Sequence, residues 1–147
     1  MAAIEGEVVI GRPVEVVFDY VADQRNEPQY NPRMVRAEKV TEGPVGKGTV
    51  FHSAVASMGR TAEMRIECTV CEWPALLAST TTMRQADFLV RLTFEPVPGG
   101  TRMRWSERVR PKRGFQVAAP LFTWLGRRQE HAIWTSMKRV LEAADHP

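Results

Sequence analysis

The sequence predicts an α+β fold in which a seven-stranded antiparallel sheet curves around one long C-terminal helix, with two short helices between the first and second strands. Three observations predict it. Between Thr49 and Arg110 the chain is a run of extended segments with no long helical period among them. Short turn-forming stretches (Gly43–Gly48, Met58-Gly59, Trp73-Pro74, Pro96–Gly100) separate the segments, and reversals this short join antiparallel neighbours. After Gly114 the period turns helical and stays so, with Leu121, Phe122, Leu125, Ala132, Ile133, Met137, Val140 and Leu141 on one stripe.

Taken in order, Ile4–Gly11 is rich in Val and Ile and reads as the first strand. Pro13 suits the first turn of a helix, and Val14, Val17, Phe18, Val21 and Ala22 follow at helical spacing through Asp23. Asn26–Tyr30 forms at most a second short helix, because Asn31-Pro32 stops it. Val35–Glu42 is the second strand; Thr49–Ser57, Arg60–Glu72, Ala75–Thr82, Ala86–Glu95 and Thr101–Arg110 complete the seven. Pro120 has no N–H to give, so the last helix starts near it or bends there. A sheet with one apolar face needs a cover, and only the last helix is long enough. One helix cannot fill a strongly curved sheet, so an internal cavity is expected.

The composition fits one globular domain over residues 1–147: 44% of residues are hydrophobic and 25% charged, which excludes a disordered chain. No apolar run approaches the roughly 18 residues of a membrane span, so no transmembrane segment is expected. The first residues lack a basic stretch followed by an apolar one, and a cytoplasmic location is expected. Cys68 and Cys71 are too few for a disulfide framework. Three apart in a strand, they should point to opposite faces and stay free thiols. His52, His131 and His146 have no metal-ligand spacing, so neither metal nor cofactor is expected.

Strand alternation sorts side chains by face. Phe88, Val90, Leu92 and Phe94 point inward, as do Ala62, Met64, Ile66, Cys68 and Val70. Phe51, Ser53 and Val55 are placed inward because aromatic and branched residues suit the core better than Val50, His52 and Ala54. In the last strand Met103, Trp105, Glu107 and Val109 oppose Arg102, Arg104, Ser106, Arg108 and Arg110. The arginines go out, so Glu107 goes in. A carboxylate on an apolar face must be paired, protonated or wetted. On the final helix the stripe from Leu125 to Ile133 passes through Gln129, a second inward polar group able to bond Glu107; Tyr30, Ser53, Ser79 and Thr81 could add hydroxyls.

Arg12–Asp23, Tyr30-Asn31-Pro32, Thr41–Thr49, Thr93–Val97 with Gly99–Arg102, and Ala119-Pro120-Leu121 together resemble the helix-grip or SRPBCC superfamily. It includes START lipid-transfer domains and polyketide cyclase/dehydrase-like proteins. The resemblance implies a hydrophobic pocket between sheet and C-terminal helix for a lipid, polyketide or similar molecule. Its expected lining is Tyr30, Phe51, Ser53, Met64, Phe88 and Val90, together with Trp105, Glu107, Leu121, Leu125, Gln129 and Ile133. In the family's aromatic cyclases the chemistry is assigned to Arg, Tyr and Trp in that pocket. Tyr30 and Trp105 answer to two of these, but no Arg faces inward.

The expected role is therefore to bind or carry a small hydrophobic or amphipathic molecule. The alternative is a cyclase/dehydrase-like enzyme with Glu107 as acid or base and Tyr30 as hydrogen-bond donor. A third reading is a protein-interaction domain, monomer or homodimer, using outward Val50, His52, Ala54 and Ala56. The net charge is +3, concentrated in Arg102–Arg113. The superfamily pairs the first strand with the seventh, which sets outward Glu5 and Glu7 beside these arginines, so no nucleic-acid partner is expected.

Overall fold

The computed structural model describes residues 3–57 and 59–144, apart from the side chains at 57, 118, 119, 121–123 and 125. Its elements are β1 (Ala3–Ile10), α1 (Val14–Ala22), a 3₁₀ helix (Gln24–Gln29), β2 (Met34–Lys39), β3 (Val50–Ser57), β4 (Arg60–Glu72), β5 (Leu76–Thr82), β6 (Ala86–Val97), β7 (Gly100–Pro111) and α2 (Ala119–Ala143). The strands form one antiparallel sheet in the order β1-β7-β6-β5-β4-β3-β2. β1 starts at one edge, α1 and the 3₁₀ helix carry the chain to the other, and five hairpins walk back until β7 lies beside β1. Pro120 falls in the first turn of α2, where its missing N–H leaves no bond unmade.

α1 buries Val14, Val17, Phe18, Val21 and Ala22, one stripe of the helix, against the sheet. Phe18 meets Phe94 edge-on with ring centroids 5.1 Å apart. Asp23 ends α1 and caps the 3₁₀ helix by accepting from the Arg25 N–H at 3.1 Å. α2 approaches the sheet chiefly along β1 and, less, β7. Its end is tied down where Glu142 Oε2 accepts from Gly11 N–H at 2.7 Å and Leu141 O accepts from Arg12 Nη1 at 2.8 Å.

The register sets one face of the sheet. Ile4, Gly6, Val8 and Ile10 of β1 lie opposite Glu107, Trp105, Met103 and Thr101 of β7. These in turn oppose Val90, Leu92, Phe94 and Pro96 of β6. Gly6 exists to seat an indole: a Cβ there would stand 2.3 Å from Trp105 Cζ2. Gly126 does the same for helix packing, since its Cβ would meet Ile4 Cδ1 at 2.6 Å.

The alternation expected along β4 fails at one place. A register shift between Cys68 and Val70 sets Cys68 opposite Ser79, Val70 opposite Ala78 and Cys71 opposite Leu77. The extra residue of this bulge turns Val70 outward and Cys71 inward. Both cysteines therefore sit on the concave face as neighbouring free thiols, contrary to the opposed faces that unbroken alternation predicts. Of the four residues expected on the outer face of β3, His52 and Ala56 are exposed while Val50 and Ala54 are buried.

On the convex face Arg102 and Arg104 meet Glu7 at 3.1 and 3.7 Å and Glu95 at 3.1 and 3.3 Å. Lys112 meets Asp87 at 3.4 Å. These exposed pairs contribute little to stability but neutralise part of the basic stretch. Among the described residues no helix is long and apolar enough to cross a membrane.

The indole seat generates a prediction. Gly6→Ala forces Trp105 out of place and should cost about 1–3 kcal/mol, as overpacking does. Gly46→Ala, at a turn with nothing within 4 Å of the added Cβ, should stay within about 0.5 kcal/mol. Chemical denaturation of the two variants measures both; equal midpoints would show that the seat is not tight.

Candidate functional site

Where α2 meets β7, three elements bring acidic side chains toward one another, Glu107 buried and Glu27 and Glu130 half-buried. Glu107 comes from β7 and is only 7% exposed. Glu130 comes from α2, on the stripe continued by Trp134, Met137 and Leu141, all buried. Glu27 comes from the 3₁₀ helix. There Glu27 O accepts from the N–H of Tyr30 at 3.0 Å and of Asn31 at 2.8 Å, and Asn31 Nδ2 donates to Glu27 Oε2 at 2.8 Å.

Around the carboxyls runs a chain of aromatic rings. Tyr20 and Tyr30 have centroids 5.8 Å apart, Tyr30 and Trp134 6.0 Å, and Trp134 and Trp105 6.3 Å. Trp134 Nε1 donates to Glu130 Oε2 at 2.7 Å. Glu130 and Glu107 share a hydrogen bond whose effects have opposite sign, raising the carboxyl of Glu130 and lowering that of Glu107.

Burial dominates every one of these groups. It pushes Glu27 up to about 7, against the Asn31 hydrogen bond and with the charge of Glu130 adding to it. Glu107 is raised by burial, with the Glu130 hydrogen bond opposing and Glu27 adding. Glu130 is raised well above the usual carboxylate range by burial, then by the charge and hydrogen bond of Glu107, against the Trp134 donor. The Tyr30 phenol is likewise pushed well up by burial, then by Glu27, Tyr20 and Glu130. Among the described residues no Lys, Arg or His forms an ion pair with the three glutamates.

Glu107 is inward, as alternation predicts, but its partner is Glu130 and not Gln129. Met137 and Leu141 of the predicted stripe are buried, but one turn earlier it passes through Trp134, buried, and Glu130, which is half-buried as Gln129 is. The single inward carboxylate of that reading is a group of three. Tyr30 and Trp105 border the group. Phe51 and Ser53 are buried on the same concave face further along the sheet, and Ser53 Oγ has no hydrogen-bond partner. Met64, Phe88, Val90 and Ile133 are half-buried there. The side chains of Leu121 and Leu125 lie outside the described residues. Glu27, Asn31, Glu130 and Trp134 were not singled out from the sequence; the i,i+4 pair Glu130 and Trp134, in phase with Leu141, was the available signal.

Raised carboxyls make stability fall with pH. The folded state holds protons that the unfolded chain releases near 4.3, so this stabilisation is complete below that value and is lost as pH rises through the folded values, about 7 for Glu27. The melting temperature should be higher at pH 5 than at pH 8 by about 5 °C or more, and Glu130→Gln should flatten the dependence. A melting temperature that rises from pH 5 to 8 would mean the three groups are wet.

The fold and the group of buried acids can be set beside known proteins. No curated protein matches the sequence. A START superfamily protein from Mycobacterium smegmatis is 14% identical with a TM-score of 0.83, covering 97% of this chain and 98% of its own. A protein from Thermus thermophilus is 16% identical with a TM-score of 0.82, covering 98% and 99%. The Zhui aromatase/cyclase from a Streptomyces species is 15% identical with a TM-score of 0.76, covering 95% of both chains. At these identities the likeness is one of fold. The sequence profile described as "Polyketide cyclase / dehydrase and lipid transport" matches residues 1–142. With that match spanning nearly the whole helix-grip domain, the chain belongs to the polyketide cyclase/dehydrase and lipid-transport family.

Proposed function

We propose that this protein binds a small amphipathic molecule between the concave face of the sheet and α2. The observation that carries the reading is the state of the middle strands. Met64, Ser79, Thr81, Phe88 and Val90 point to the concave face of β4, β5 and β6, yet all are only half-buried. A close-packed core seals such positions. α2 lies along β1 and β7, at one side of the sheet, and so leaves these strands the room. The orphan Ser53 Oγ adds a polar group awaiting a partner. Apolar walls with a few convergent polar groups are the make-up of a small-molecule site. The family description includes lipid transport, which accords with a carrier.

A second reading has its own support. Glu107 and Glu130, both raised by burial and coupled to one another, lie at the edge of the proposed site with Tyr30 beside them. A carboxylic acid kept protonated inside a protein can deliver its proton to a substrate oxygen, and its carboxylate neighbour can remove one from carbon. Cyclase or dehydrase chemistry needs both steps. The binding reading needs neither, and so rests on less.

Filling the space tests the binding reading. Val90 lies opposite Glu107 across β6 and β7, and Val90→Trp should reduce the affinity for Nile red, a neutral apolar dye, at least tenfold. The far-ultraviolet circular dichroism should stay that of the parent. Native mass spectrometry of protein purified gently from its source should show a co-purified mass that Val90→Trp loses. A parent protein that neither binds the dye nor carries an added mass would overturn the reading.

A further inference from the structure

Three carboxyl groups come from three separate elements, Glu107 buried and Glu27 and Glu130 half-buried, near enough that each feels another's charge, and none forms an ion pair among the described residues. Burying carboxyls is costly, and the usual remedy is a cation beside them. The chain supplies convex-face cations in plenty, Arg102 and Arg104 among them, and turns none toward this group. The interior therefore carries latent negative charge.

Tyr30 is the second observation. Its side chain is buried, 3% exposed, beside Glu27 and Glu130, and its hydroxyl makes no hydrogen bond among the described residues. Tyr30, Trp134 and Trp105 also form a continuous aromatic wall at centroid spacings of 6.0 and 6.3 Å. Ring faces attract a desolvated cation, above all an organic ammonium.

We infer that the molecule bound under α2 carries an organic ammonium head, seated against Glu107, Glu130 and Glu27 and walled by Tyr30, Trp105 and Trp134, with an apolar body lying along the middle strands. This rests on the interior-binding reading proposed above and specifies the charge of its ligand. Binding would convert the hydrogen-bonded pair into two carboxylates facing one cation, so the ammonium ligand displaces a proton. The groups that titrate there are Glu27 from the 3₁₀ helix, Tyr30 after it, Glu107 from β7 and Glu130 from α2.

Three probes with one tail and different heads separate the possibilities: octyltrimethylammonium, octanol and octanoate, each below its micellar concentration, titrated calorimetrically into the whole protein. Octyltrimethylammonium should bind at least tenfold more tightly than either of the others at pH 8. Its affinity should fall at least threefold at pH 5.5, where the carboxyls reclaim their protons. In Glu107→Gln and in Glu130→Gln the ratio of ammonium to octanol affinity should shrink toward one. Equal binding of all three, or tightest binding of octanoate, overturns the ammonium inference and leaves the interior site standing. If none of the three binds, the interior site falls and the inference with it.

Discussion

Two carboxyl groups can share a hydrogen bond only while one of them keeps its proton, and that condition governs the junction of sheet and helix in this protein. Glu107 on β7 and Glu130 on α2 meet at the seam where the helix lies against the sheet. Burial holds the proton in place and the Trp134 N–H fixes the orientation of Glu130. The surroundings follow from the same seam. Trp105 can lie beside Glu107 only because β1 offers Gly6 opposite it, and α2 can approach β1 only because Gly126 clears Ile4. A larger residue at either glycine would push apart the surfaces that meet at the acids.

The remainder of the architecture is a problem of area. Seven strands present a concave face broader than one helix can cover. α1 seals one part of it with Phe18 against Phe94, and α2 seals the β1 and β7 side. Between them the middle strands keep half-buried apolar side chains. Such a fold keeps its rigidity in the sheet, so changes of inward side chains on the middle strands can alter the concave surface without altering how the chain folds. The sequence matches of 14–16% to proteins sharing the fold over nearly their full length fit that separation.

Much of this was legible in the sequence, for identifiable reasons. Strand and helix order follow from periods that differ, and the face of β7 follows from four arginines alternating with Met103, Trp105 and Val109. Glu107 could be placed inside on that ground alone. What failed were inferences that assume an unbroken period. The bulge after Cys68 shifts the phase by one residue, which no alternation within β4 announces, and it reverses the relation of Cys68 to Cys71. On α2 an error of one residue, about 100°, exchanged Glu130 for Gln129 as the partner of Glu107. Glu27 was invisible for another reason: a 3₁₀ turn before a proline has no periodicity to read, and only the tertiary fold brings it to Glu130.

The claim on which the account turns is that burial raises all three glutamates in the folded protein and that Glu107 and Glu130 titrate as a pair. Side-chain carboxyl carbon NMR, followed across the pH range with Glu27, Glu107 and Glu130 assigned by their Gln variants, measures it directly. The account predicts midpoints for all three above the ordinary glutamate value of about 4.3. It further predicts that Glu107 and Glu130 titrate jointly, each responding when the other is replaced. Three independent titrations at ordinary glutamate values would contradict it.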